Sequence, residues 1–140
     1  MIRKQKETDF EQILDLGRRL FNSKFSGLFS WNEQDARETV KHYIKTLYGL
    51  VEEENGKITG FVGGQIYNEF FDYSKKVFHE VVWYSTTSGL RLFYALIDRL
   101  KKDKIDKIMF PSPAGDKRLG EFYKKTGFKE VETQWIKEIL

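Results

Sequence analysis

Apolar side chains recur at helical spacing in some stretches of this chain and alternate with polar ones in others, and the switches between the two mark its elements. Phe10, Ile13, Leu14, Leu16, Leu20 and Phe21 form a helical stripe. Thr8 and Glu11 stand at capping-box spacing, which predicts a helix beginning at Thr8. Ser30 and Glu33 repeat that spacing before a second helix carrying Val40, Tyr43, Ile44 and Leu47. The intervening NSKFSGLFSW reads as a loop with an apolar lining, because Gly27 lies among three aromatic side chains. Ile2 to Lys6 reads as a short strand.

From Gly49 the spacing changes. Two strand-like runs flank Asn55-Gly56, a pair suited to a type I′ turn because both central residues take positive φ. Gly60, Gly63 and Gly64 fall in the second run, where they point to a bulge or a close backbone approach. NEFFDYSKK is a loop, and VFHEVVWYS is the next strand. A helix with Leu92, Leu96 and Leu100 on one side follows, then the strand KIDKIMF, ended by Pro111 and Pro113. Asp116 opens a short helix that Gly127 stops, and FKEVETQWIKEIL closes the chain as a final strand.

The order is β-α-α-β-β-β-α-β-α-β, a mixed α/β fold with a right-handed parallel crossover in its second half. No repeat, low-complexity tract or linker divides it, so residues 1–140 read as a single domain. A hydrophobic share of 40% and an aromatic share of 16% exclude a disordered chain. The net charge of +3 comes from intermixed lysines and acids, which suits a solvated surface better than a nucleic-acid footprint. The absence of cysteine excludes disulfides and thiolate catalysis, and the separated His42 and His79 give no basis for a metal site. No apolar run reaches the ~20 residues that span a bilayer, and the charged N-terminus lacks the core of a secretion signal. A soluble cytoplasmic protein with no membrane partner is expected.

The stretch WYSTTSGLRL, from Trp83 to Leu92, raises a chemical question. It places four consecutive hydroxyl residues, Ser85, Thr86, Thr87 and Ser88, and then Gly89 between a strand and a helix. A helix start presents unpaired amides and a positive dipole end, a combination that binds anions. Gly89 would let a phosphate approach the backbone, and Arg91 would add charge or face solvent. The other reading is local: Ser88 is a cap and the hydroxyls build a turn.

On the order of its elements and on GLVEEENGKITGFVGG, SGLRLFYALIDRLKK and LGEFYKKTGFKEVE, the chain resembles the GCN5-related N-acetyltransferases over essentially its full length. The WY strand and the GLRL helix start resemble the short, phage-type branch. The resemblance implies a central mixed, mostly antiparallel sheet of six to seven strands with about four helices. It implies acetyl transfer from acetyl-CoA to an amine of a small molecule, peptide or protein. It also allows a homodimer. The family's loop pattern, Gln/Arg-x-x-Gly-x-Gly/Ala, is not kept. With Gly89 at the last position, Tyr84 stands at the basic one and Thr87 at the middle glycine; alternatively the loop has lost residues.

The same resemblance implies the site. The backbone at Val82, Trp83 and Tyr84 would bind the pantetheine arm and polarise the thioester carbonyl. The turn from Ser85 through Gly89 to Leu90 would hold the pyrophosphate. Tyr123 aligns with the residue that protonates the departing thiolate, a task that suits a phenol with its pKa near ~10; the alternative is a packing tyrosine. Glu80 is the candidate base, or else a cross-strand partner of a lysine. His79 has the more suitable pKa but faces the other way by alternation. Phe25, Phe29 and Trp31 would line the acceptor entrance or else cap the core. Glu69 and Asp72 would attract a cationic amine. Glu52, Glu53 and Glu54 read as a solvated run at a hairpin tip. A non-catalytic interaction protein on the same fold, or transfer of a different acyl group, are the competing readings.

Overall fold

The computed structural model describes residues 1–139. The chain divides into two compact units, Met1–Phe110 and the segment from Pro111 onward. The first unit is built on one five-stranded sheet, β1 (Ile2–Arg3), β2 (Tyr48–Glu54), β3 (Lys57–Asn68), β4 (Lys76–Ser85) and β5 (Lys107–Met109), which lie side by side in chain order. Neighbours are antiparallel except β4 and β5, which are parallel across a helical crossover. Asn55 and Gly56 both have positive φ, 52° and 79°, so the hairpin turn forms as the dipeptide predicts.

Strand alternation sorts the core into two layers. Val51 and Phe61 face α1 (Phe10–Leu20) and α2 (Glu33–Thr46) through Ile13, Leu16, Ile44 and Leu47. Leu50, Val62 and Phe78 face α3 (Leu90–Lys102) through Leu92, Leu96 and Leu100. The helix starts differ from expectation. Asp9 ends a single 3₁₀ turn, Glu7–Asp9, ahead of α1, and its carboxylate accepts the Lys6 N–H at 2.8 Å. The same carboxylate accepts two bonds of 2.9 Å from Arg3, so β1 recruits the acid that organises the helix start in place of Thr8. α2 is capped by Asn32, whose side chain accepts from the Asp35 N–H at 3.0 Å, and not by Ser30. α1 runs on into a wider π-type turn over Phe21–Phe25, where a loop was expected.

The second unit holds α4 (Lys117–Lys125), capped by the Asp116 carboxylate on the Leu119 N–H at 3.0 Å and ended near Gly127 at φ 92°. The expected final strand is not formed: residues 128–139 have no regular secondary structure, and Leu140 lies outside the described residues. The sheet therefore has five strands among the described residues, not six to seven. The physical reason is burial. Phe128 turns back to pack on Tyr123, ring centroids 4.9 Å apart, and beyond it Val131, Trp135 and Ile139 stay exposed, so the alternation buries nothing.

Candidate active site

β4 is where the sheet comes apart. It pairs with β5 only through Val77, Phe78 and His79, while its ladder to β3 continues to Ser85. From Glu80 to Ser85 the other edge of β4 has no strand partner among the described residues. Two features cause this. The β3–β4 register slips between Gly63, opposite Val82, and Gly64, opposite Glu80, so Val81 is an extra residue and bends the strand. Phe78 and Trp83, an odd number of residues apart, consequently both face α3. Past β5, Phe110 turns into a cluster with Phe78, Trp83 and Phe93 at centroid distances of 6.0, 5.5 and 5.5 Å. Pro111, which has no N–H to donate, follows it.

The turn after β4 is built largely from its own hydroxyls. Ser85 Oγ accepts the Thr87 N–H at 3.0 Å and donates to the Thr59 carbonyl at 3.3 Å. The Thr86 N–H and hydroxyl donate to that carbonyl at 2.8 and 3.2 Å. Ser88 Oγ takes only a long bond, 3.4 Å, from the Leu90 N–H. Gly89 is the N-cap of α3 at φ 73° and gives it no side-chain cap. A Cβ on Gly89 would stand 3.1 Å from Trp83 Nε1, so the missing side chain also admits the indole. Val82 and Tyr84 pack on the α1–α2 side, and Leu90 is exposed. The expected β4 and turn residues thus meet in one place: an open strand edge running into an uncapped helix start.

Glu80 lies on β4 where this edge begins. Burial alone pushes its carboxyl up to about 8, although the residue keeps partial contact with solvent. A carboxyl raised this far by desolvation, with a route to water, is suited to taking a proton near neutral pH. His79 is turned instead toward Tyr67, Nδ1 to Oη 3.4 Å. Tyr123 belongs to the second unit, is 8% exposed and donates its hydroxyl to the Pro111 carbonyl at 2.8 Å.

Other expectations change. Glu52 is not solvated; its side chain is 3% exposed, because alternation along β2 places it in line with Leu50 and the structure covers that face. Arg91 stands near Glu52 and Glu54, at 3.7 and 3.8 Å. Glu69 is paired with Lys107 at 2.8 Å, and Asp72 is held below the usual carboxylate range by Ser74. Trp31 packs on Phe21 at 5.5 Å beneath the Arg18 guanidinium, while Phe25 and Phe29 meet edge to face at 6.0 Å.

No family model and no curated protein matches this sequence. Solved structures do match it over nearly its whole length. A ribosomal-protein-alanine N-acetyltransferase from Brucella melitensis biovar Abortus 2308 is 12% identical with a TM-score of 0.74, covering 99% of this chain and 98% of its own. The aminoglycoside N-acetyltransferase AAC(6')-Iy, in complex with a bisubstrate analogue of CoA, is 13% identical with a TM-score of 0.73 over 100% and 97%. The fold is that of the GCN5-related N-acetyltransferases. A protein from Clostridium acetobutylicum, predicted to be an acetyltransferase and solved with acetyl-CoA, adds a third match at 16% identity and a TM-score of 0.72 over 99% and 95%. At such identities the likeness is one of GCN5-related architecture, and the chemistry has to be argued from this chain's own residues.

Proposed function

We propose that the chain works as one domain of the short, phage-type branch, an acetyl-CoA-dependent N-acetyltransferase acting on an amine of a small molecule, peptide or protein in the cytoplasm. The observation that carries this is the open β4 edge leading into the uncapped start of α3. A strand edge offers amides and carbonyls to an extended amide-bearing arm, and the helix start offers amides and a positive dipole to a diphosphate. Bound acetyl-CoA would supply the thioester, whose C–S bond breaks as the amine nitrogen attacks directly.

The chain's residues have distinct tasks in this reading. Glu80, in its ionised form, takes a proton from the acceptor amine through water. An N–H on the β4 edge, within Val82 to Tyr84, donates to the carbonyl oxygen as negative charge develops there. Amides from Ser88 to Leu90 bind the diphosphate, with the Thr87 and Ser88 hydroxyls beside them. The Tyr123 hydroxyl gives its proton to the departing thiolate. The aromatic segment Phe25 to Trp31 receives the acceptor.

One observation favours a second reading, a non-catalytic interaction protein of the same fold: Ser85 and Thr86 already satisfy the Thr59 carbonyl and their own turn. Thermal unfolding with CoA or acetyl-CoA, followed by thiol release with a panel of amines, separates the two. A raised melting temperature and thiol release support the enzyme. No shift at millimolar ligand supports the interaction protein.

A further inference from the structure

Glu52 is a buried acid that the proposed chemistry does not use. It lies on β2 opposite Gly60, with its side chain 3% exposed and its Oε2 without a hydrogen-bond partner among the described residues. Arg91 Nε stands 3.7 Å from that oxygen, and Arg91 Nη1 stands 3.8 Å from Glu54 Oε1. Both separations exceed hydrogen-bond length, and the Arg91 side chain is 68% exposed. The guanidinium is therefore held by charge and not locked in a fork. Arg91 also sits in the first turn of α3, beside the uncapped amides. Gly60 brings the hairpin against this corner: a Cβ there would lie 3.2 Å from both Leu92 Cδ2 and Ser85 Cβ.

We propose that Arg91 is the cationic ligand of the diphosphate, and that Glu52 and Glu54 hold it in reserve until that anion arrives. This rests on the cofactor reading above. The planar guanidinium matches phosphate oxygens in a bidentate contact that neither carboxylate makes with it here. An incoming diphosphate competes with the two acids for one cation. Drawing Arg91 away leaves Glu52 buried without its counter-charge, which opposes binding. The acids thus lower the affinity of the site, and they do so through Arg91.

Isothermal titration of the full chain with CoA, and separately with inorganic pyrophosphate, tests this. Arg91→Ala is expected to weaken both ligands about tenfold, the loss of one charge-assisted contact. Glu54→Gln, at an exposed position, should tighten CoA about threefold, as for a surface charge pair. Glu52→Gln should tighten it further, and if that variant fails to fold, the Glu54 variant still decides the matter. In an Arg91→Ala background, Glu54→Gln should change nothing. Equal affinity of Arg91→Ala and wild type overturns the inference. So does the same gain from Glu54→Gln with and without Arg91, which would be a simple field effect. Weakened CoA with unchanged pyrophosphate also overturns it, by placing Arg91 on another part of the ligand. A wild-type chain that binds no CoA removes the cofactor reading itself and this inference with it.

Discussion

At the scale of residues, three positions decide more than their size suggests. A Cβ on Gly64 would lie 2.3 Å from the His79 carbonyl oxygen and 2.6 Å from Phe78 Cζ. Backbone cannot yield there without undoing the bulge, so Gly64→Ala should cost about 3 kcal/mol, the upper part of the range for overpacked cores. Urea unfolding measures this. Glu80 gives a pH signature. Its native carboxyl titrates near 8, above the unfolded value, so the native state holds the extra proton between about 4.5 and 8. Stability should therefore fall as pH rises through that window, and Glu80→Gln should flatten this slope. In the proposed reaction the ionised form is the base. kcat should then rise with pH up to about 8 in the wild type, and Glu80→Gln should lower it by about a hundredfold or more. A rate profile unchanged by the substitution removes Glu80 from the chemistry. Tyr123→Phe should lower turnover by about a hundredfold while changing CoA affinity little. It should also cost about 1 kcal/mol of stability by breaking the bond to the Pro111 carbonyl. Equal turnover would reduce Tyr123 to packing.

At the scale of elements, β1 and the start of α1 are tied by one ion pair. Arg3 makes a bidentate contact with Asp9 at 2.9 Å and reaches Glu53 at 2.9 Å. Asp9 is 4% exposed and is held below the usual carboxylate range, first by the Arg3 hydrogen bonds. Its contribution is present above the unfolded pKa, near ~4, and is lost as pH falls through the lower native value. Asp9→Asn should destabilise the chain by about 3 kcal/mol at neutral pH, because a largely buried Arg3 loses its bidentate contact and keeps only the Glu53 carboxylate. The difference from wild type should shrink toward acid pH. Equal melting temperatures at pH 7 would show that the pair only decorates the junction. The bulge works at the same scale. Val81 shifts the alternation of β4, bringing Trp83 under Gly89 and ending the ladder to β5 at His79. The glycines in GFVGG announced an irregularity, but its phase came from the register with β4.

At the scale of the whole molecule, ligand binding and folding are linked. CoA that binds only the native chain, at a hundred times its Kd, stabilises it by about 2.7 kcal/mol. For a chain of 140 residues this raises the melting temperature by several degrees. Local periodicity and turn chemistry determined the element order as far as α4, the Asn55-Gly56 hairpin, the stripes of all three long helices and the family likeness, because these depend on neighbours within a few positions. Tertiary contact alone decided four other things: the burial of Glu52, the recruitment of Asp9 by Arg3, the open edge of β4 and the absence of a final strand among the described residues. Each of these turns on which distant backbone or side chain comes within a few ångströms, and alternating or helical spacing carries no information about that.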